Sequence, residues 1–572
     1  MKRLTLSFGA HILVVTLVLV LIATACGTPA PPPPPADTVA PADTPAPGVT
    51  PEPTTPPEPP AAEVPQYGGT MILTYENDIA TLDPATGYDW DNWGMEKWIY
   101  DALLDYDSDM NMIPHIAEMP EVSADGTVFT FTLREGVKFH NGRELTADDV
   151  AYTITRVIDP ETMSPGQSFY FTIKGSEEFA NGEADSVEGI EVLDDYTIRF
   201  TLTQPDASFL NVIALNFSFI VPKEEVEKWG EDFGHHPMGT GPFVFQEWVP
   251  GQSLTFVRSE EYFRPELPYL DGVDVQIGVG PEVALLRLEK GEVDYLGDGI
   301  PPGEFVRLTE DPAWENRIVH AVRVHTGYIA LNTQLAPFDD VRVRRAVNMA
   351  IDKERIVQLL NGRGVPAVGM LPPLMPGYDP DVKGYDYDPE GAQALLAEAG
   401  YPDGFSTFIE CISVDPEPKL CESIQNDLKQ IGIDLEVRTL SPSTVINDAG
   451  TPGKVPMVWS GGLAWIQDYP HPSDFYGPIL GCDSAVEGGW NWPMYCNPEL
   501  DARELAARGM SDWDASMEEY QEIFQILLDD AVWVPVLHQE DYNAHSDALH
   551  GGVRDFLHPV HDIRAYELWK SE

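Results

Sequence analysis

The sequence predicts an α/β protein built of two or three lobes. Three observations carry that reading. Strand-like and helix-like patterns interleave along the whole globular part, which excludes a helical bundle or a β-sandwich. The chain has 572 residues, too many for one ordinary domain. Its hydrophobic fraction of 43% is enough for separate cores.

The elements follow in chain order. Lys2 and Arg3 precede an apolar run, ILVVTLVLVLI at 12–22, which has the length of a signal peptide rather than a membrane span. Small residues, ATAC, then end at Cys26, as before a lipidated bacterial cysteine. The expectation is a leader over 1–25 and a lipid on Cys26. Residues 26–66 are Pro-rich and lack the apolar side chains for a core. Proline favours polyproline II, so this segment is expected to be a stiff tether, with a reach on the order of 100 Å at about 3.1 Å per residue.

From residue 67 the composition turns globular. GGTMILTYENDIATLDP, 68–84, reads as a strand and then a turn at Asp83-Pro84. In VSADGTVFTFTLREGVKF, 122–139, a turn at Asp125-Gly126 leads into a strand with Phe129, Phe131 and Leu133 on one face. TADDVAYTITRVI, 146–158, reads as a helix with Thr146 as N-cap and acids in its first turn. DSVEGIEVLDDYTIRFTLTQP, 185–205, reads as a hairpin around Asp194-Asp195. In FDDVRVRRAVNMAI, 338–351, the apolar stripe Val343, Ala346, Val347 and Ala350 predicts core packing. Arg342, Arg344 and Arg345 are expected to serve as internal salt-bridge partners.

The formal charge is -59, from 93 acids against 34 bases. Such a surface repels phosphate, so nucleic acid is excluded as a partner, as is electrostatic binding to anionic lipid. Besides Cys26 there are four cysteines, Cys411, Cys421, Cys482 and Cys496. An even count outside the cytoplasm points to disulfides, with three possible connectivities. The local pairs Cys411–Cys421 and Cys482–Cys496 are favoured.

Several long stretches resemble one family. EVSADGTVFTFTLREGVKFHNGRELTADDVAYTITRV at 121–157 is similar to the signature of the extracellular solute-binding proteins of the peptide/nickel/oligosaccharide class (family 5), the binding components of ABC importers. The resemblance continues in LNTQLAPFDDVRVRRAVNMAIDKERIVQLL, YDPEGAQALLAEAGYPDGF, IQNDLKQIGIDLEV and YCNPELD, and spans nearly everything from residue 67 on. It implies a periplasmic-binding-protein-like two-lobed cleft fold of cluster C type with an extra inserted subdomain. Lobe I would comprise 67–115, 237–316 and 543–572, the inserted subdomain 116–236, and lobe III 317–542. PMGTGPFVF, 237–245, looks like the segment where the chain returns to lobe I.

The stretch GGLAWIQDYPHPSDFY, 461–476, admits three chemistries: a metal site of Asp468, His471 and Asp474, a catalytic acid pair, or a single charge anchor. Pro470 and Pro472 hold the chain extended or turned, and side chains three apart on an extended chain point to opposite faces. That counts against the first two. The resemblance carries Asp468 onto the acid that pairs with the ligand's α-amino group in peptide-binding members, with Trp465 and Tyr469 beside it. It places Tyr88 and Trp90, in ATGYDWDNW, on the opposite wall, and Gly239 and Thr240 in the segment returning to lobe I. His471 and Asp474 are expected to be scaffolding.

No serine-hydrolase elbow, zinc-protease motif or phosphate loop is present in the sequence. The expected activity is therefore binding rather than catalysis, without cofactor or metal. The protein is expected to be a lipid-anchored monomer at the outer face of the cytoplasmic membrane that hands short peptides to a permease. Oligosaccharides or metal chelates are the alternative ligands, and a metal-dependent surface hydrolase using Asp468 and His471 is the alternative of another class.

Overall fold

The computed structural model describes residues 64–463, 465–560 and 563–571, apart from the side chain of Trp90. The leader, Cys26 and the tether up to residue 63 lie outside the described residues.

Three sheets organise the chain. The first runs in the order Tyr295–Leu296, Thr70–Tyr75, Gly272–Ile277, Ser253–Arg258, Phe243–Val249. Thr70–Tyr75 lies parallel to both its neighbours, and the remaining pairs are antiparallel. Its alternating Met71 and Leu73 are buried with Trp98, Leu254, Phe256, Val273 and Val275 in one core.

The second sheet has four strands, Glu121–Val122, Val128–Thr132, Thr197–Thr201 and Ile190–Asp194. Gly126 sits at φ +70, a left-handed conformation that glycine adopts without strain, and turns the first strand into the second. Phe129 and Phe131 face inward, in register with Phe200 and Ile198. Helix Ala147–Ile158 covers them with Val150, Ile154 and Val157. Its start is held by the Thr146 backbone N–H, which donates to the Asp149 carboxylate at 3.0 Å.

The third sheet runs Gly364–Pro366, Trp533–Ala544, Ile318–Leu331, Met457–Trp459, Phe405–Ile412, Ile433–Leu440, with the short strand Trp465–Ile466 also on Ile318–Leu331. Separate apolar clusters fill its two faces, one around Val343, Val347 and Leu428, the other around Tyr476, Phe524 and Trp533. Ile318–Leu331 and Trp533–Ala544 form a long antiparallel ribbon with a register shift between Val322 and Thr326. Beyond that shift the ribbon meets the segment that follows Tyr295–Leu296 of the first sheet, where the Ile300 N–H donates to the Tyr542 carbonyl at 3.1 Å.

The arginine cluster divides its work. Arg342 pairs with Asp340 at 2.5 Å. Arg344 and Arg345 instead donate to the carbonyls of Asp530 and Asp529 at the end of helix Trp513–Asp529. Cations there satisfy carbonyls that have no partner within the helix. Disulfides join Cys411 to Cys421 and Cys482 to Cys496, with Cα atoms 6.8 and 4.4 Å apart.

Candidate functional site: a buried carboxylate between two sheets

The segment around Asp468 is built locally first. Trp465–Ile466 pairs antiparallel with His325 and Thr326 at the edge of the ribbon. The chain then leaves the ladder, since Pro470 and Pro472 cannot donate to it. It turns directly into helix Ser473–Leu480. Asp474, in the first turn of that helix, folds the segment back on itself. Its Oδ2 accepts the Asp468 backbone N–H at 3.0 Å and the Trp465 indole N–H at 3.2 Å. Asp474 is therefore brought to Asp468, which the assumption of a continuing extended chain did not allow.

His471 is fully buried, with its ring 5.3 Å from that of Tyr520 and 5.6 Å from that of Trp513. Its Nδ1 meets the Ser473 side chain at 2.8 Å, and burial holds the imidazole neutral with a pKa lowered to about 3. Among the described residues no three His, Cys, Asp or Glu side chains are grouped to hold a metal ion.

Asp468 itself is buried, 7% exposed. The Tyr88 hydroxyl, 380 positions away, donates to its Oδ2 at 2.9 Å. Tyr88 rests on Trp93 and Phe217, at ring distances of 5.5 and 5.4 Å. The sheet bearing Trp465–Ile466 and the body holding Tyr88 thus meet at this carboxylate. Burial raises the Asp468 pKa to about 7. Asp474 is also pushed up, by burial and then by the neighbouring charge of Asp468. Among the described residues neither acid forms an ion pair with a Lys or Arg.

Trp465 packs edge-on to Trp490 at 6.1 Å. Tyr469 reaches the core of the second sheet, edge-on to Phe169 at 6.2 Å, while its hydroxyl meets Ser473 at 3.1 Å. Trp90 opens helix Trp90–Ile99, and its side chain lies outside the described residues. Gly239 and Thr240 join a different group. A Cβ at Gly239 would collide with the Ile99 carbonyl, and the Thr240 hydroxyl donates to Asp101 at 2.7 Å. His115 meets the same carboxylate at 2.7 Å.

Two openings flank the Asp468 segment. A groove of about 800 Å³ is lined by Met110, Met112, Leu210, Met375, Pro470 and Trp513. A cavity of about 270 Å³ is lined by Asp298, His325, Arg363, Glu417 and Gly461, among others. Neither stood out in the sequence, because their walls come from segments far apart in the chain.

Comparison with known proteins agrees with this architecture. The family model described as bacterial extracellular solute-binding proteins, family 5 (middle), matches residues 111–486. The heme-binding protein A of Haemophilus influenzae is 32% identical over 480 residues, covering 80% of this chain and 84% of that one. The di/tripeptide-binding protein 2 of Pseudomonas aeruginosa is 31% identical over 519 residues, covering 85% and 94%. Among solved structures, the ABC transporter-associated periplasmic binding protein DppA of Helicobacter pylori, in complex with the peptide STSA, superposes with a TM-score of 0.75. It is 27% identical, with 89% of this chain and 99% of that chain covered. The clavulanic acid biosynthesis oligopeptide binding protein 2 reaches a TM-score of 0.81 at 25% identity, with 89% and 96% covered. By sequence and by fold, the chain belongs to the bacterial extracellular solute-binding proteins of family 5.

Proposed function

We propose that the protein captures short peptides in the cleft at Asp468 and delivers them to an ABC permease. It works as a monomer tethered by a lipid on Cys26 to the outer face of the cytoplasmic membrane. One observation carries the choice of ligand: Asp468 is a buried carboxylate with no cation beside it among the described residues. A carboxylate in that state gains most from an incoming positive charge, which restores the interaction that water no longer supplies. The α-amino group of a peptide is such a charge. The Asp468 and Tyr88 walls come from opposite sides of the cleft, so a ligand reaching both favours the closed arrangement. Names among the relatives, such as di/tripeptide-binding protein, support the same class.

The test is native mass spectrometry of the purified protein, joined to titration with free-amine and N-acetylated forms of one tripeptide. Co-purified peptide and a clear preference for the free amine support the proposal. Equal affinity for both forms removes Asp468 as the anchor. Binding of neither, with tight binding of an oligosaccharide or a metal chelate, replaces the ligand class.

A further inference from the structure

The 270 Å³ cavity is strongly acidic on its lining, which carries Asp298, Asp415, Glu417, Glu540 and Asp541. Among the described residues Arg363 is the only Lys or Arg on that lining. Three of the acids have cations or imidazoles outside the cavity. Asp415 pairs with Lys419 at 2.7 Å, Glu540 with His320 at 3.2 Å and Asp541 with Arg323 at 3.4 Å.

Asp298 and Glu417 have no such partner among the described residues. Asp298 accepts the Glu76 backbone N–H at 2.9 Å, and Glu417 accepts the Trp459 indole N–H at 2.6 Å. Asp298 is an exposed residue on the lining, yet the protein packed around its carboxyl raises its pKa to about 6, with Asp91 and Glu76 adding to the shift. Burial also raises Glu417, and Asp415 adds to it. The two acids come from different elements. Asp298 follows strand Tyr295–Leu296 of the first sheet, and Glu417 opens helix Glu417–Gln430 against the third. A Cβ at Gly461 would collide with both Glu417 and Trp459, so glycine at that position leaves the carboxylate in place.

A second observation is independent of the acids. His325 also lines the cavity, is only 4% exposed, and its Nδ1 has no hydrogen-bond partner. Burial keeps the ring neutral. A buried polar atom without a partner, on a residue that lines a cavity, is a group that a ligand can satisfy once the side chain turns toward it. His325 is also the ladder partner of Ile466, two residues before Asp468. Arg363 on the lining is held by neutral partners and forms no ion pair with these acids: its Nε donates to the Leu360 carbonyl and its guanidinium lies 5.5 Å from the Phe305 ring.

We propose that this cavity receives a second positive charge of the ligand, an ammonium or guanidinium seated between Asp298 and Glu417 and bordered by His325. The protein then selects basic peptides. This rests on the peptide reading of the Asp468 cleft, and it names the side chain that the cleft prefers.

The experiment is calorimetric titration of the full-length protein with tripeptides carrying lysine, norleucine or glutamate at position two or three. Norleucine keeps the alkyl stem and removes the charge. The expected result is lysine bound about tenfold or more tighter than norleucine, with glutamate weakest, as for a desolvated charge pair. In Glu417→Gln, and separately in Asp298→Asn, the lysine-to-norleucine ratio is expected to fall toward one. Thermal unfolding of each variant confirms that it is folded, and two variants guard against the loss of either. Lysine and norleucine bound within about twofold overturns the inference and leaves the peptide reading standing, since that is within ordinary scatter for a packing change. A ratio that survives in both variants places the second charge elsewhere and also overturns it. Binding of none of the tripeptides overturns the peptide reading, and this inference with it.

Discussion

Asp83 and Asp468 are almost equally buried, 6% and 7% exposed, and the protein treats them in opposite ways. Asp83 receives both arms of the Arg156 guanidinium, at 2.8 and 2.5 Å, and a backbone N–H from Ala85 at 3.1 Å. Asp468 receives one hydroxyl and no cation. The same contrast holds elsewhere. Asp105 pairs with Arg564, and Asp427 with Arg355. A buried charge used for structure is neutralised by the fold itself. A buried carboxyl left without a counter-ion, as Asp468 and Asp474 are among the described residues, is relieved by a proton or by a cation that arrives from outside.

That contrast can be broken at several points. The largest effect is expected from Arg156→Met, which strands Asp83 as a lone buried charge. It should lower unfolding free energy by about 3–5 kcal/mol in a urea titration. A loss below about 1 kcal/mol would mean that Asp83 does not depend on its partner. Asp468→Asn should do the reverse. The empty protein keeps its stability, because a desolvated charge has been removed, while a free-amine peptide binds ~2 kcal/mol more weakly, or about thirtyfold. If the N-acetylated peptide weakens by the same factor, the residue shapes the site without anchoring charge.

Next comes pH. The Asp468 pKa is raised to about 7 in the folded protein. An unfolded aspartate titrates near 3.9. The empty fold therefore holds an extra proton between those values. Its stabilising share is complete below about pH 4 and is lost as the pH rises through about 7. An ammonium ligand needs the ionised carboxylate, so its affinity should rise with pH up to about 7, by about 1.4 kcal/mol per unit, and then level off. Calorimetry between pH 5 and 8 on wild type and Asp468→Asn checks this, and the slope should vanish in the variant. The smallest effect is expected from Tyr88→Phe, which removes one hydrogen bond across the cleft. It should weaken the same peptide by about 1 kcal/mol, mostly through faster dissociation. An unchanged dissociation rate would mean that the Tyr88–Asp468 contact gives way when ligand enters.

Much of this was legible in the linear chain wherever the governing interactions are local. The alternation of Phe129 and Phe131 marked a strand, and Thr146 with its following acids marked a helix start. Asp468 and Trp465 were legible through the resemblance to family 5, which one short stretch carries. The relation of Asp474 to Asp468 was misread. Two prolines argue for an extended chain, but they stand immediately before a helix, and the helix returns Asp474 to the segment. Thr240 carried no local sign that its hydroxyl is already committed to Asp101.

Sequence alone determined the α/β mixture, the acidity, several local elements and, through motifs that resemble family 5, the family of the protein. These follow from periodicity, composition and short motifs, which act over a few residues. Tertiary structure decided that Tyr88 meets Asp468 across 380 positions, and that Asp298, His325 and Glu417 share one cavity. It also decided which buried acids are neutralised and which are left open. Burial and counter-charge are properties of the assembled surroundings, set by packing between segments that no local pattern connects.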